Sequence, residues 1–131
     1  MSMKKHITSD SSLEKSIGFS RACRIDNIIA VSGTAPIKNG FNAFPGDVYQ
    51  QTMLCIEISI TAIKDAGGTK EDVVRTRILL TDISLWEDAA KAHAEVFTTI
   101  KPACTFVEVN GFIDKDWLVE TEMDCVVSNN R

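Results

Sequence analysis

The chain has 131 residues, 44% of them apolar and 24% charged, the length of about one domain and a mix that excludes disordered, collagen-like and disulfide-dense chains. Fourteen Lys and Arg against eighteen Asp and Glu leave a formal charge of −4, so no cationic field gathers phosphate backbones and nucleic acid is not an expected partner. One domain over residues 1–131 is the expectation.

In chain order, the leading segment Met1-Ser2-Met3-Lys4-Lys5-His6 is basic but runs into Ile7-Thr8-Ser9-Asp10 instead of an apolar stretch. It does not read as a secretory signal. No run approaches the roughly 18 apolar residues of a membrane span, and a cytoplasmic location is expected. A short strand near His6 adds an edge, and residues 19–24 and 28–32 flank Ile25-Asp26-Asn27 as a hairpin. Residues 38–46, rich in Gly and Asn, read as one loop. Residues 47–66 read as a helix: Asp47 can cap it, Met53, Ile56, Ile60 and Ile63 recur at helical spacing, and Gly67-Gly68 stops it. A strand is expected over 73–81. A second helix over 84–100 has Ser84 as cap, Glu87 three residues on, and a stripe of Leu85, Ala89, Ala92, Val96 and Ile100 before Lys101-Pro102. Residues 104–109 form a strand, 110–116 a loop, and 118–127 a strand of regular alternation. There Val119, Thr121, Met123, Cys125 and Val127 take one face, and Leu118, Glu120, Glu122, Asp124 and Val126 the other.

The order β-β-β-α-β-α-β-β predicts an α+β fold with about six strands in a mixed sheet and both helices on one face. Residues 28–31, 78–80 and 106–107 place apolar groups on both faces of that sheet. The uncovered face predicts a homo-oligomer with ligand clefts between subunits.

Cys23, Cys55, Cys104 and Cys125 form no C-x-x-C pair and read as reduced thiols. Two distant histidines, His6 and His93, make no metal pair, and no Gly-rich loop follows a strand, so neither metal nor cofactor is expected. Trp86 and Trp117 are read as packing residues.

A set of motifs in fixed order resembles the RidA (YjgF) family: Val31-Ser32-Gly33-Thr34-Ala35-Pro36-Ile37, Gly46-Asp47 with Gln50-Gln51-Thr52, Val73-Val74-Arg75-Thr76-Arg77 leading to Thr81-Asp82-Ile83, Pro102-Ala103, Val107-Glu108-Val109, and Leu118-Val119-Glu120-Thr121-Glu122. The match runs from about Ile17 to Val127. The resemblance implies a chorismate-mutase-like fold, a homotrimer with three clefts between subunits, and hydrolysis of reactive enamines and imines to a carbonyl product and ammonia. It places Glu120 where the family has an acidic residue able to orient water, and Ser32 and Gly33 in the loop lining the cleft.

Two positions depart from that pattern. Cys104 stands after Pro-Ala, where the family has an arginine that clamps the substrate carboxylate, and Phe19 stands where it has a tyrosine. Losing a bidentate cation costs on the order of 2–5 kcal/mol in a desolvated site. Glu120 is accordingly the candidate catalytic residue, and Phe19, Ser32, Gly33, Cys104 and Phe106 are the candidate ligand-binding residues for a small metabolite. Arg21, Arg24, Arg75 and Arg77 are the guanidinium groups that could replace the missing one, although Arg75 and Arg77 read more simply as partners of surface carboxylates.

Three functions follow. The first is imine or enamine hydrolysis on a smaller or neutral substrate, with water held by Glu120. The second is a non-catalytic trimer that binds a metabolite or protein partner. The third, endoribonuclease activity described for family members, sits poorly with the net charge.

Overall fold

A computed structural model describes residues 4–9 and 11–128; Met1-Ser2-Met3, the start of the basic leading segment, lies outside the described residues. The elements are β1 (Lys5–Ile7), α1 (Ser12–Ile17), β2 (Ala22–Ile25), β3 (Ile28–Thr34), β4 (Ile37–Lys38), β5 (Phe41–Asn42), α2 (Val48–Asp65), β6 (Val73–Leu80), α3 (Trp86–Phe97), β7 (Ala103–Glu108) and β8 (Val119–Val126). Six strands form one mixed sheet in the order β1-β2-β3-β8-β6-β7, antiparallel except for the parallel β6–β7 pair.

Asp47 caps α2 as the sequence predicts, its Oδ1 accepting from Gln50 N at 3.0 Å. At the other end Gly67 adopts φ +90° and Gly68 N donates to Ile63 O at 2.9 Å, a glycine stop. Both long helices cover one face of the sheet. Ile56, Ala62 and Ile63 of α2 pack with Ala22, Ile29, Val31, Met123 and Cys125, while Val48, Cys55 and Ala89 pack with Ile78, Leu80 and Val119. Each of these strand residues belongs to the period-two set that faces the helices.

Three expectations are corrected. First, a third helix is present: α1 holds Leu13 and Ile17 four residues apart and ends on Gly18 at φ +95°. Second, residues 38–46 are not a featureless loop. Asn39 and Gly40, both at positive φ, turn the chain between β4 and β5. Third, the 84–100 helix begins later, because Asp82 and not Ser84 is the cap. Its Oδ1 accepts from Ser84 N (3.0 Å) and Ser84 Oγ (2.6 Å), winding residues 83–85 into a 3-10 turn before α3 starts. The apolar groups expected on the uncovered sheet face are present, with charge among them. Ile28, Val74, Val107 and Val126 are exposed, but Arg77 lies among them, 3.2 Å from Asp124 and 3.7 Å from Glu122.

The register of the sheet breaks at a revealing place. Val31 pairs with Met123 and Thr34 with Thr121, so three steps along β3 match two along β8. One extra residue is therefore bulged out at Ser32–33. Bulges re-aim side chains beside functional sites, and this one presents the Gly33 backbone to Glu120.

Candidate functional site

A cavity of about 440 Å3 opens beside that bulge. Its walls come from the end of β1, from α1 (Leu13, Ile17), from one stripe of α2 (Leu54, Ile58, Thr61) and from the approach to β8 (Ile113, Trp117). Phe19, Arg21, Gly33 and Glu120 also line it. The α2 stripe is a different face of the helix from the Ile56–Ile63 face that builds the core, so one helix serves both purposes.

Glu120 is on the side of β8 away from the long helices, as the alternation predicts, and is half-buried. No hydrogen bond from the described residues reaches its carboxyl oxygens. Burial pushes its pKa above the ordinary carboxylate value; the nearby Arg21 charge works against this and Glu122 adds to it. Its Oε1 lies where a side chain on Gly33 would press: a Cβ built there would come within 3.0 Å. Absence of a side chain at residue 33 is therefore what lets the carboxyl rest against β3.

Arg21 is buried and tied into the protein on three sides. Its Nε donates to Glu14 Oε2 at 3.2 Å, and its Nη1 donates to Gly33 O at 2.6 Å and Thr34 Oγ1 at 3.2 Å. The Phe19 ring centre lies 5.4 Å from its Cζ. Glu14, on α1, is held in turn by Ser9, whose backbone N–H donates to Oε1 at 2.9 Å and whose hydroxyl bonds Oε2. Thr34 continues the network to α2 through Ser59. A buried ion pair whose Nε, Nη1 and carboxylate oxygens are hydrogen-bonded holds its geometry firmly, so α1, the bulge and α2 are joined at one corner of the cavity.

Trp117 closes another side. It is 5% exposed, and its Nε1 donates to Asn42 Oδ1 at 2.7 Å. Gln51, also buried, accepts from Leu118 N at 2.9 Å and donates to Phe44 O and Asp116 O, each at 3.2 Å. These bonds fix the loop that leads into β8.

The predicted residues do not all meet. Phe19, Gly33 and Glu120 share the cavity. Ser32 is next to it but turned the other way, its hydroxyl donating to Ser20 O at 2.7 Å. Cys104 and Phe106 are on β7, at the far edge of the sheet, and do not line the cavity. Cys104 is exposed. Phe106 faces α3, with ring centres 6.3 Å from Trp86 and 6.4 Å from His93. Of the four candidate guanidiniums only Arg21 reaches the cavity. Arg24 bonds Asp26 O and Ala66 O, and Arg77 bonds Asp124. Sequence reasoning missed Glu14, Trp117 and the α2 stripe, for which the spacing of Leu54, Ile58, Thr61 and Asp65 was the available signal.

The mixed sheet, its two covering helices and a bulge that brings a glycine against a half-buried glutamate define the class: a small α+β protein of YjgF type. The chain belongs to the endoribonuclease L-PSP family, whose model matches residues 10–127. Among solved structures it is similar to Rv2704 from Mycobacterium tuberculosis, a member of the YjgF/YER057c/UK114 family, with 37% identity, a TM-score of 0.87, and 95% of this chain and 100% of that one covered. It is also similar to the Rid-family protein YyfA from Yersinia pestis, at 28% identity and a TM-score of 0.84, covering 95% of this chain and 100% of that one. A RutC family protein from Pyrococcus abyssi is 32% identical over 122 residues, which is 92% of this chain and 95% of that protein. Among the described residues no helix is long and apolar enough to cross a membrane.

Proposed function

We propose that the protein hydrolyses small imines or enamines, with Glu120 holding the attacking water. The observation that carries this reading is a half-buried carboxyl, without a hydrogen-bond partner among the described residues, facing a cavity of metabolite size. Burial raises the pKa of this carboxyl, which makes its carboxylate form a stronger base toward water. As a carboxylate it takes a proton from water as the oxygen bonds to the C=N carbon. The resulting carboxylic acid passes that proton to nitrogen, giving a carbinolamine; the carboxylate then takes the carbinolamine's O–H proton and delivers it to nitrogen as the C=O bond forms and the C–N bond breaks. One imine and one water give one carbonyl and one ammonia.

The functional unit in this reading is a homotrimer. The exposed Ile28, Val74, Val107 and Val126 supply an apolar surface that a second copy would cover, and contact between copies would bring a neighbour's β7, with Cys104, toward the Glu120 cavity. Sedimentation equilibrium giving a monomer would remove this part. For the chemistry, imines are generated with an amine or amino-acid oxidase and trapped as semicarbazones; active protein lowers the trapped yield, and Glu120→Gln restores it. Unchanged trapping across amine and amino-acid imines would refute hydrolysis.

Cys104 favours a second reading, binding without turnover, because a thiol cannot supply the fixed pair of donors that clamps a carboxylate. Cys104→Arg separates the two: the hydrolase reading expects turnover of 2-imino acids to rise, whereas a binding module gains affinity alone. RNA cleavage is not supported, since Glu57 and Asp65 at the cavity repel a phosphodiester.

A further inference from the structure

We infer that the Glu120 cavity is built for an apolar cation that carries a neutral hydrogen-bond acceptor, and not for a ligand bearing a carboxylate. This names the substrate class for the site proposed above and rests on that reading of the cavity.

The charges around the cavity carry the inference. Glu57, Asp65 and Glu120 line it, and Arg21 is the one cationic side chain among the described residues that does so. Arg21 is paired with Glu14 at 3.2 Å inside the protein, which leaves less of its charge for a ligand, and what reaches the cavity already acts on Glu120. A carboxylate entering here would meet three acids and one cation already shared between Glu14 and Glu120, whereas a protonated imine or amine would be attracted by all three acids.

Arg21 still has something to offer. Nε and Nη1 are committed to Glu14, Gly33 and Thr34, while Nη2 has no hydrogen-bond partner among the described residues, on a side chain 6% exposed and lining the cavity. Of this guanidinium, Nη2 is the nitrogen left to solvent at the cavity, so an acceptor on the ligand can take the place of water there. A carbonyl, amide or hydroxyl oxygen answers it without adding charge. The remaining walls, Leu13, Ile17, Leu54, Ile58 and Ile113, suit a branched aliphatic body.

Four probes sharing one aliphatic group test this by calorimetric titration near pH 7 at low salt: leucinamide, isopentylamine, leucine and 4-methylpentanoate. Leucinamide, cationic with a neutral oxygen, is expected to bind about tenfold or more tightly than leucine or 4-methylpentanoate, with isopentylamine between because it leaves Nη2 unanswered. The double variant Glu57→Gln/Asp65→Asn, both positions exposed, should narrow that gap severalfold with the melting temperature unchanged. Equal or tighter binding of leucine or 4-methylpentanoate overturns the inference, as does no binding of either amine. Trapping assays on the same scaffolds keep the two proposals apart. Leucinamide bound but no imine hydrolysed removes the hydrolase and leaves this inference standing. Hydrolysis favouring the imine of leucine over that of leucinamide does the reverse.

Discussion

Gly33→Ala tests how closely the bulge and the acid are matched. Residue 33 is not at positive φ, so alanine suits the backbone, and the contact it introduces is with the end of a flexible side chain, Glu120 Oε1, at 3.0 Å. The carboxyl must give way by a few tenths of an ångström while the strand stays in place. Reduced freedom of the unfolded chain contributes about 0.4–1 kcal/mol of stability, and overpacking costs about 1–3 kcal/mol, at the low end where the neighbour can turn aside. The net change expected in urea unfolding is within about 1 kcal/mol. Catalysis is less forgiving: if a 1 Å misplacement costs on the order of a hundredfold, a shift of a few tenths costs roughly fivefold to tenfold in imine turnover. Gly111→Ala is the control, since a Cβ there meets nothing within 4 Å. A folded Gly33→Ala protein with undiminished turnover would show that the carboxyl position against β3 does not matter, and the assignment of Glu120 would fail with it.

Further outcomes are expected elsewhere. Because burial raises the folded-state pKa of Glu120 above its ordinary 4.5, the folded protein holds that proton more tightly than the unfolded chain, so stability falls as pH rises from about that value through the folded pKa. Glu120→Gln removes the dependence: measured against the parent by chemical unfolding, it should be the more stable at pH 7, and the difference should shrink toward pH 4. An unchanged difference would contradict the burial argument. Thr121 Oγ1 is buried without a hydrogen-bond partner among the described residues, so Thr121→Val should stabilise by about 1 kcal/mol in urea unfolding, and any loss of stability would mean the hydroxyl is satisfied. Gln51→Leu strips Leu118 N and two carbonyls of their buried partner; about 1–3 kcal/mol should be lost, and a cost below about 0.5 kcal/mol would refute the role given to Gln51. Burial sends the Cys125 thiol up to about 12, with Asp72 and Asp124 adding to it. Alkylation at pH 8 should therefore leave Cys125 unmodified until the protein unfolds, and rapid labelling would contradict its placement in the core.

Strong periodicity made much of the fold legible in the sequence. The alternation through β8 assigned Glu120, Glu122 and Asp124 to one face and Met123 and Cys125 to the other because burial on a sheet follows period two. The spacing in α2, with Asp47 before it and Gly67 after it, marked a helix whose ends are chemically specified. The six-residue α1 was not legible: a helix this short has no stability of its own and depends on Glu14 reaching Arg21, a contact between elements. The β4–β5 hairpin was missed although Asn39-Gly40 was visible, since strands of two residues carry no pattern. At the site, Phe19, Gly33 and Glu120 could be named in advance. Arg21 could only be placed among four candidates, because nothing in a linear chain says which guanidinium is buried.

The Glu14–Arg21 pair also makes the beginning of the chain a structural dependency of the cavity. Trimming the protein ahead of Gly18 would strand a guanidinium in the interior with no counter-charge, a defect that typically costs about 3–5 kcal/mol, and would strip Leu13 and Ile17 from the wall in the same stroke. Shortened versions made to ease crystallisation or labelling would thus compromise ligand capture and folding together, and a fluorophore or purification handle is better placed at the opposite terminus.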